Sequence, residues 1–195
     1  MYLKYLNRKA ESQILKWEKD FCVTIEVSRP CKTRLGVFIP KNNGKSLIKI
    51  NQDLNQYSFL ITLVHELAHA SIWTKFGRRV KPHGDEWKKE FQKMMLRFLN
   101  PEYFPDDILK VLSRHMINPM ATTVRDVKLT EILMSYNDND QEVITINSLE
   151  YGVCFKTSDG REFRKIKKMR KNYKCIELKS GKIYRFYPLA VVFPL

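Results

Sequence analysis

Leu3, Leu6, Ala10, Ile14, Trp17 and Phe21 recur at spacings of three and four residues, the stripe of an amphipathic helix that must dock on a partner surface. Three short runs follow, VTIEVS, TRLGVFIP and SLIKIN, rich in β-branched and aromatic residues. RPCK and KNNGK separate them with turn formers, so the pattern predicts a small sheet. Residues 57–76 contain no Pro or Gly, and nearly every position from 59 to 72 is apolar or small, which predicts a buried helix stopped by Gly77. Another helix is expected from about 85 to 99, opened by Asp85 and Glu86 and closed by Pro101.

From 101 to 140 the pattern is helical but less regular, with DDILKVLSRHM and VRDVKLTEILMSY as candidates on either side of INPMATT. NDNDQ reads as a linker, and after it the period changes to two: EVITIN, GVCFKT, REFRKIKK, NYKCIEL and KIYRFYPLAVV are punctuated by the hairpin signals SDG and KSG. The expectation is an α+β protein with a larger domain over 1–137 and a small antiparallel β domain over 138–195.

The chain has 195 residues and a formal charge of +14, which suggests a polyanionic partner such as nucleic acid. Between 151 and 187 there are twelve Lys or Arg against three acids, so the tail is the basic end. No signal-like N-terminus and no long uncharged apolar run is present, so the expected setting is cytoplasmic, with no membrane partner. Cys22, Cys31, Cys154 and Cys175 are too few and too scattered for a disulfide framework and are expected as free thiols. The sequence carries no signal of oligomeric state.

Three of the four histidines lie in HELAHASIWTKFGRRVKPHG. His65, Glu66 and His69 form H-E-x-x-H on the buried helix, a spacing that lets two imidazoles share a cation while Glu66 is aimed at a bound water. Ionisable side chains in an apolar helix are costly unless paired or metal-bound. A catalytic zinc takes three protein ligands and leaves the fourth position open. His83, in KPHG, is the favoured third ligand; Asp85 and Glu86 are competitors, with Asp85 better explained as a helix N-cap. His115 reads as an ordinary helix-end histidine, and Trp73 and Trp87 as core or pocket wall.

HELAHASIWTKFGRRVKPHGDEWKKEFQKM resembles the SprT-like metallopeptidases, which carry H-E-x-x-H on one helix and a His-Gly pair opening the next, followed by an aromatic. His65, Glu66, His69, His83 and Trp87 stand at those positions, and TRLGVF with SLIKIN looks like the family's hairpin, so the resemblance runs from about 17 to 99. It implies a zincin-like domain with one catalytic Zn2+ on His65, His69 and His83, with Glu66 activating its water. It also implies a protein or peptide substrate bound or crosslinked to DNA. By analogy with zincins, Thr33, Arg34, Leu35, Gly36, Val37 and Phe38 would hold the substrate as an added strand.

The tail departs from the family, whose members commonly carry a zinc ribbon with two C-x-x-C pairs. Here Cys154 and Cys175 are followed three residues later by Thr157 and Leu178, so no second structural zinc is expected, and the tail reads as a degenerate ribbon or a small barrel. Arg161, Arg164, Lys165, Lys167, Lys168, Arg170, Lys171 and Lys174, interleaved with Phe163, Tyr173, Tyr184, Phe186 and Tyr187, are the candidate nucleic-acid contacts. The plainer reading of those cations is a solvated sheet face. Two rivals remain: a nucleic-acid-binding protein with a structural, non-catalytic zinc, and a peptidase whose tail binds a protein partner.

Overall fold

In the computed structural model of the chain, which describes residues 2–31, 34–122, 125–137 and 144–195, the N-terminal stripe folds in two pieces rather than one. A 3-10 turn, Tyr2–Tyr5, precedes helix α1 (Arg8–Asp20), because the Asn7 side chain accepts the Lys9 N–H at 3.0 Å and caps a new helix start. The apolar face of α1 still docks: Ala10, Ile14 and Trp17 are buried.

Strands β1 (Val23–Ser28), β2 (Gly36–Ile39) and β3 (Ser46–Asn51) form a sheet in the order β1-β3-β2, with β1 parallel and β2 antiparallel to the central β3. Strand β2 is therefore an edge, and it starts at Gly36 rather than at residue 33. Helix α2 (Gln56–Phe76) is buried without a gap from Phe59 to Ala68 and packs on β2, β3 and the following helix, α3 (Asp85–Met95). Its burial on all sides explains why its sequence shows no polar face.

Helix α3 stops at Met95, four residues before the expected end. The chain tightens there into short turns, Arg97 N–H to Met94 O and Phe98 N–H to Met95 O, which turn Phe98 inward against Trp17. Asp85 is the first residue of α3 and not its cap; that position belongs to Gly84, which makes no side-chain cap bond. Helices α4 (Asp106–Ile117) and α5 (Val127–Met134) follow, α5 capped by the Asp126 carboxylate on Leu129 N–H.

The chain is mixed α+β and divides into two compact units, Met1–Asn137 and Asp138–Leu195. The second holds an antiparallel sheet of β4 (Cys154–Lys156), β5 (Glu162–Lys168), β6 (Tyr173–Glu177), β7 (Ile183–Phe186) and β8 (Phe193–Pro194) in the order β7-β6-β5-β4-β8. Ile146, Phe155, Phe163, Tyr173, Cys175 and Val192 form its separate core. Of EVITIN, residues 142 and 143 lie outside the described residues, and Thr145 makes only an isolated bridge to Val191. Among the described residues no helix is long and apolar enough to cross a membrane.

Candidate functional site

One helical turn apart on α2, His65 and His69 present their rings on the same side, centroids 5.1 Å apart. The chain then leaves α2 at Gly77, whose φ of 60° and ψ of −133° suit only a residue without Cβ, and returns through a 3-10 turn, Gly77–Arg79. His83 itself has φ of 59°, an uncommon conformation that histidine tolerates better than most residues and that sends its ring back toward α2. Its Nε2 lies 2.9 Å from that of His69 and 3.3 Å from that of His65. Ligand atoms on a tetrahedral zinc with bonds of 2.0–2.1 Å sit about 3.3 Å apart.

These nitrogens cannot all satisfy one another, because a single N–H on His83 can serve only one of the two lone pairs facing it. A cation satisfies all three at once, and the three imidazoles lie close enough to hold one. Burial also keeps them neutral: it pushes the His65 pKa well below its usual range, that of His69 down to about 3, and lowers that of His83. Trp87 backs the cluster, its ring 4.6 to 5.1 Å from the three imidazoles and itself stacked on Phe91. That apolar wall fixes the ring orientations and keeps water from one side of the cluster.

Glu66 is 7% exposed, and burial raises its pKa to about 8 even though the Phe38 N–H and the Arg34 charge pull the other way. Its contact with β2 depends on Gly36: a Cβ there would sit 2.8 Å from Thr62 Cγ2, 2.9 Å from Ile50 Cδ1 and 3.1 Å from Glu66 Cγ. Only a glycine lets the edge strand lie this close to the carboxylate.

A cleft of about 620 Å³ opens over this cluster, and Arg34, Leu35, Gly36, Val37 and Phe38 line it. Thr33 lies outside the described residues. Asn51 N–H bonds the Leu35 carbonyl at 2.9 Å, so by antiparallel alternation the backbone groups of Gly36 and Phe38 point away from β3 toward the free edge. The Asn51 side chain also holds the Arg34 carbonyl, fixing the approach to that edge. Trp73 lines the cleft, whereas Trp87 is fully buried behind the histidines.

The sequence model of the SprT-like family matches residues 2–107, more than half of the chain, including all three histidines and Glu66. The chain belongs to the SprT-like family. It is similar to Protein SprT of Klebsiella pneumoniae (strain 342), 50% identical over 48 residues that make up 23% of this chain and 28% of that protein. Protein SprT of Cronobacter sakazakii (strain ATCC BAA-894) is 57% identical over 35 residues, 17% of this chain and 20% of that protein. The chain thus spans less than a third of the length of these curated relatives. No solved structure matches it.

Beyond the SprT-like segment, the loop between α4 and α5 contributes Ala121 and Thr122 to the cleft, a placement no motif in INPMATT announces. His115 is buried near the end of α4, where its Nδ1 lies 3.0 Å from the Asp126 carboxylate across the base of this loop. Gln92 of α3 donates to the Met116 and Ile117 carbonyls, tying the C-terminal end of α4 to α3.

In the second unit the predicted cations separate by side of the sheet. Lys165 is 2% exposed, its Nζ bonded to the Leu149 carbonyl and 4.0 Å from the centre of the Tyr173 ring, so it belongs to the interior and not to a nucleic-acid surface. Arg161 is exposed but pairs with Glu177 at 2.8 Å and stacks over Tyr184. Phe163 and Tyr173 are core, which removes them as base-stacking platforms. A register shift between Lys165 and Lys167 turns Lys167 to the opposite face, where cross-strand pairing aligns it with Lys174 and Arg185. Arg164, Arg170 and Lys171 are exposed, and the Lys168 ammonium lies over the Tyr173 ring, 5.5 Å from its centre. Arg185, which is not among the sequence candidates, joins this row, and the alternation Ile183, Tyr184, Arg185, Phe186 carries its direction. Cys154 pairs with Arg164 and Cys175 with Lys165, so the two free thiols face opposite sides of the sheet.

Proposed function

We propose that this SprT-like protein is a zinc-dependent endopeptidase acting on proteins bound or crosslinked to DNA. The observation that carries the reading is the convergence of three neutral imidazole nitrogens with Glu66 at the floor of an open cleft walled by a free strand edge. His65, His69 and His83 would hold the zinc, which supplies a Lewis acid and makes a water nucleophilic near neutral pH. A peptide laid along β2 would pair with the outward backbone groups of Gly36 and with the Phe38 carbonyl, bringing an extended segment beside Glu66. Glu66 then accepts the proton of the attacking water and returns it to the leaving amine. Three ligands in an open cleft disfavour the rival of a structural zinc, which is normally enclosed by four.

The DNA part of the proposal rests on the +14 charge and on the Lys167, Lys174 and Arg185 row, which has no carboxylate partner among the described residues. The test is cleavage of a loosely folded protein by zinc-loaded enzyme, with and without single-stranded DNA, beside Glu66→Gln. Cleavage that requires Glu66 and rises with DNA is expected. Cleavage indifferent to DNA removes the second half of the proposal, and zinc binding without cleavage under any condition favours the structural site.

A further inference from the structure

The cleft is charged in a way the H-E-x-x-H chemistry does not require. Arg34 lines it at the β2 side and Arg78 at the turn after α2, while Glu66 is the only acid among its described lining residues. Arg125 belongs to the same neighbourhood: its N–H bonds the carbonyl of the lining residue Thr122 at 3.3 Å, and its charge acts on His83. In this unit Lys75 sits against Glu90, Lys9 against Glu102 and Lys49 against Glu26, and most other Lys and Arg residues have no carboxylate partner among the described residues. None of the three arginines makes a contact ion pair among the described residues, and of the three only the Arg34 charge acts on Glu66, the one acid of the lining. The Arg78 guanidinium instead lies 6.0 Å from the centre of the Trp73 ring, along the apolar wall of the cleft.

A bound dication would add to this field, and a cleft with low-dielectric walls concentrates it. Guanidinium groups recognise carboxylates through paired, charge-assisted hydrogen bonds. We propose that the cleft selects peptide segments with Asp or Glu side chains near the bond held over the histidines, and rejects segments with Lys or Arg there. The inference rests on the peptide-binding part of the proposed function. A peptide rather than a nucleic acid is the favoured occupant, because the free edge of β2 offers carbonyls that need N–H donors, and a phosphodiester backbone has none. If the substrates are proteins on DNA, the cut would fall in their acidic or neutral linkers and spare the basic stretches that hold the DNA.

The test separates binding from cleavage. Zinc-loaded Glu66→Gln protein is titrated against fluorescent unstructured peptides of equal length that differ only in carrying Glu, Gln or Lys at the same positions, with fluorescence anisotropy as the readout. The Glu peptide should bind about tenfold tighter than the Lys peptide, and the preference should shrink in Arg34→Gln/Arg78→Gln and invert in Arg34→Glu/Arg78→Glu. If the charge-reversed protein does not fold, the neutral pair decides. Equal binding of Glu and Lys peptides, or a preference untouched by either arginine pair, overturns the inference. So does a single-stranded oligonucleotide that displaces the Glu peptide at concentrations where free Glu peptide does not. Glu peptides bound tightly but left intact by the wild-type enzyme would keep the inference and sink the peptidase reading; cleavage of all three peptides without ranking would do the reverse.

Discussion

The two units each bury ionisable side chains, and they resolve the cost in opposite ways. Lys165 lies in the core of the tail with its ammonium bonded to backbone carbonyls and set against the Tyr173 and Tyr151 rings, so the protein itself supplies what water would have supplied. The histidines of the first unit do not close their account: their Nε2 atoms face one another, and Glu66 beside them receives a single backbone donor among its described contacts. A buried polar cluster that is satisfied internally reads as architecture, and one whose lone pairs converge on a common point reads as a binding site.

The sharpest break between the two is Glu66→Gln, which leaves the histidines intact and removes the proposed proton acceptor. Cleavage should fall by on the order of 10²- to 10⁴-fold while zinc content, measured by atomic absorption, stays at the wild-type level. Next in size is removal of the metal. At free zinc of about 1,000 times its dissociation constant the folded state gains about 4 kcal/mol, so a chelator should lower the melting temperature of the wild type and leave that of His69→Ala unmoved.

Metal removal should also reshape the pH dependence. In metal-free protein His69 titrates at about 3 when folded and near 6.5 when unfolded, so only the unfolded chain takes up its proton between those values, and stability falls as pH drops through that window. Glu66, raised from 4.5 to about 8, does the opposite: the folded state holds a proton the unfolded chain has lost, and stability falls as pH rises from 4.5 to 8. Melting of the chelated protein should therefore peak within about pH 4.5–6.5, and Glu66→Gln should remove the high-pH loss. Zinc should move the optimum upward, since a cation favours the unprotonated form of every one of these groups.

What the sequence made legible was whatever depends on near neighbours. VTIEVS and SLIKIN fold over their full lengths because their alternation and flanking turn formers are local, and α2 ends at Phe76 because Gly77 follows. The i, i+4 spacing of His65 and His69 is likewise a property of one helix, whereas His83 is favoured over Asp85 and Glu86 from its place in KPHG just before the next helix, and only the fold shows how far the loop returns. Gly36 gave no signal of its role, because the atoms that exclude a Cβ there come from residues 14, 26 and 30 positions away. The same holds for Ala121 and Thr122 in the cleft wall. In the tail, strict alternation from Phe163 would turn Lys165 and Lys167 the same way, and the register shift between them breaks that rule.

Those two lysines give the smaller-scale version of the contrast between satisfied and unsatisfied charge. Lys165→Met should destabilise the tail by about 1–3 kcal/mol, because the Leu149 carbonyl loses its donor, and urea unfolding would read this as a lower midpoint. It should leave the salt dependence of DNA binding unchanged, since its ammonium never reaches a phosphate. Replacing Lys167, Lys174 and Arg185 with Ala should do the converse. Unfolding would shift little, because three like charges abreast on neighbouring strands repel one another and contribute nothing to the fold. The slope of log affinity for single-stranded DNA against log salt should then fall by about 2, the release expected for three lost phosphate contacts. A triple variant that binds with an unchanged slope would mean that this row is a solvated face, and would move any nucleic-acid contact to Arg164, Arg170 and Lys171, which are exposed around it.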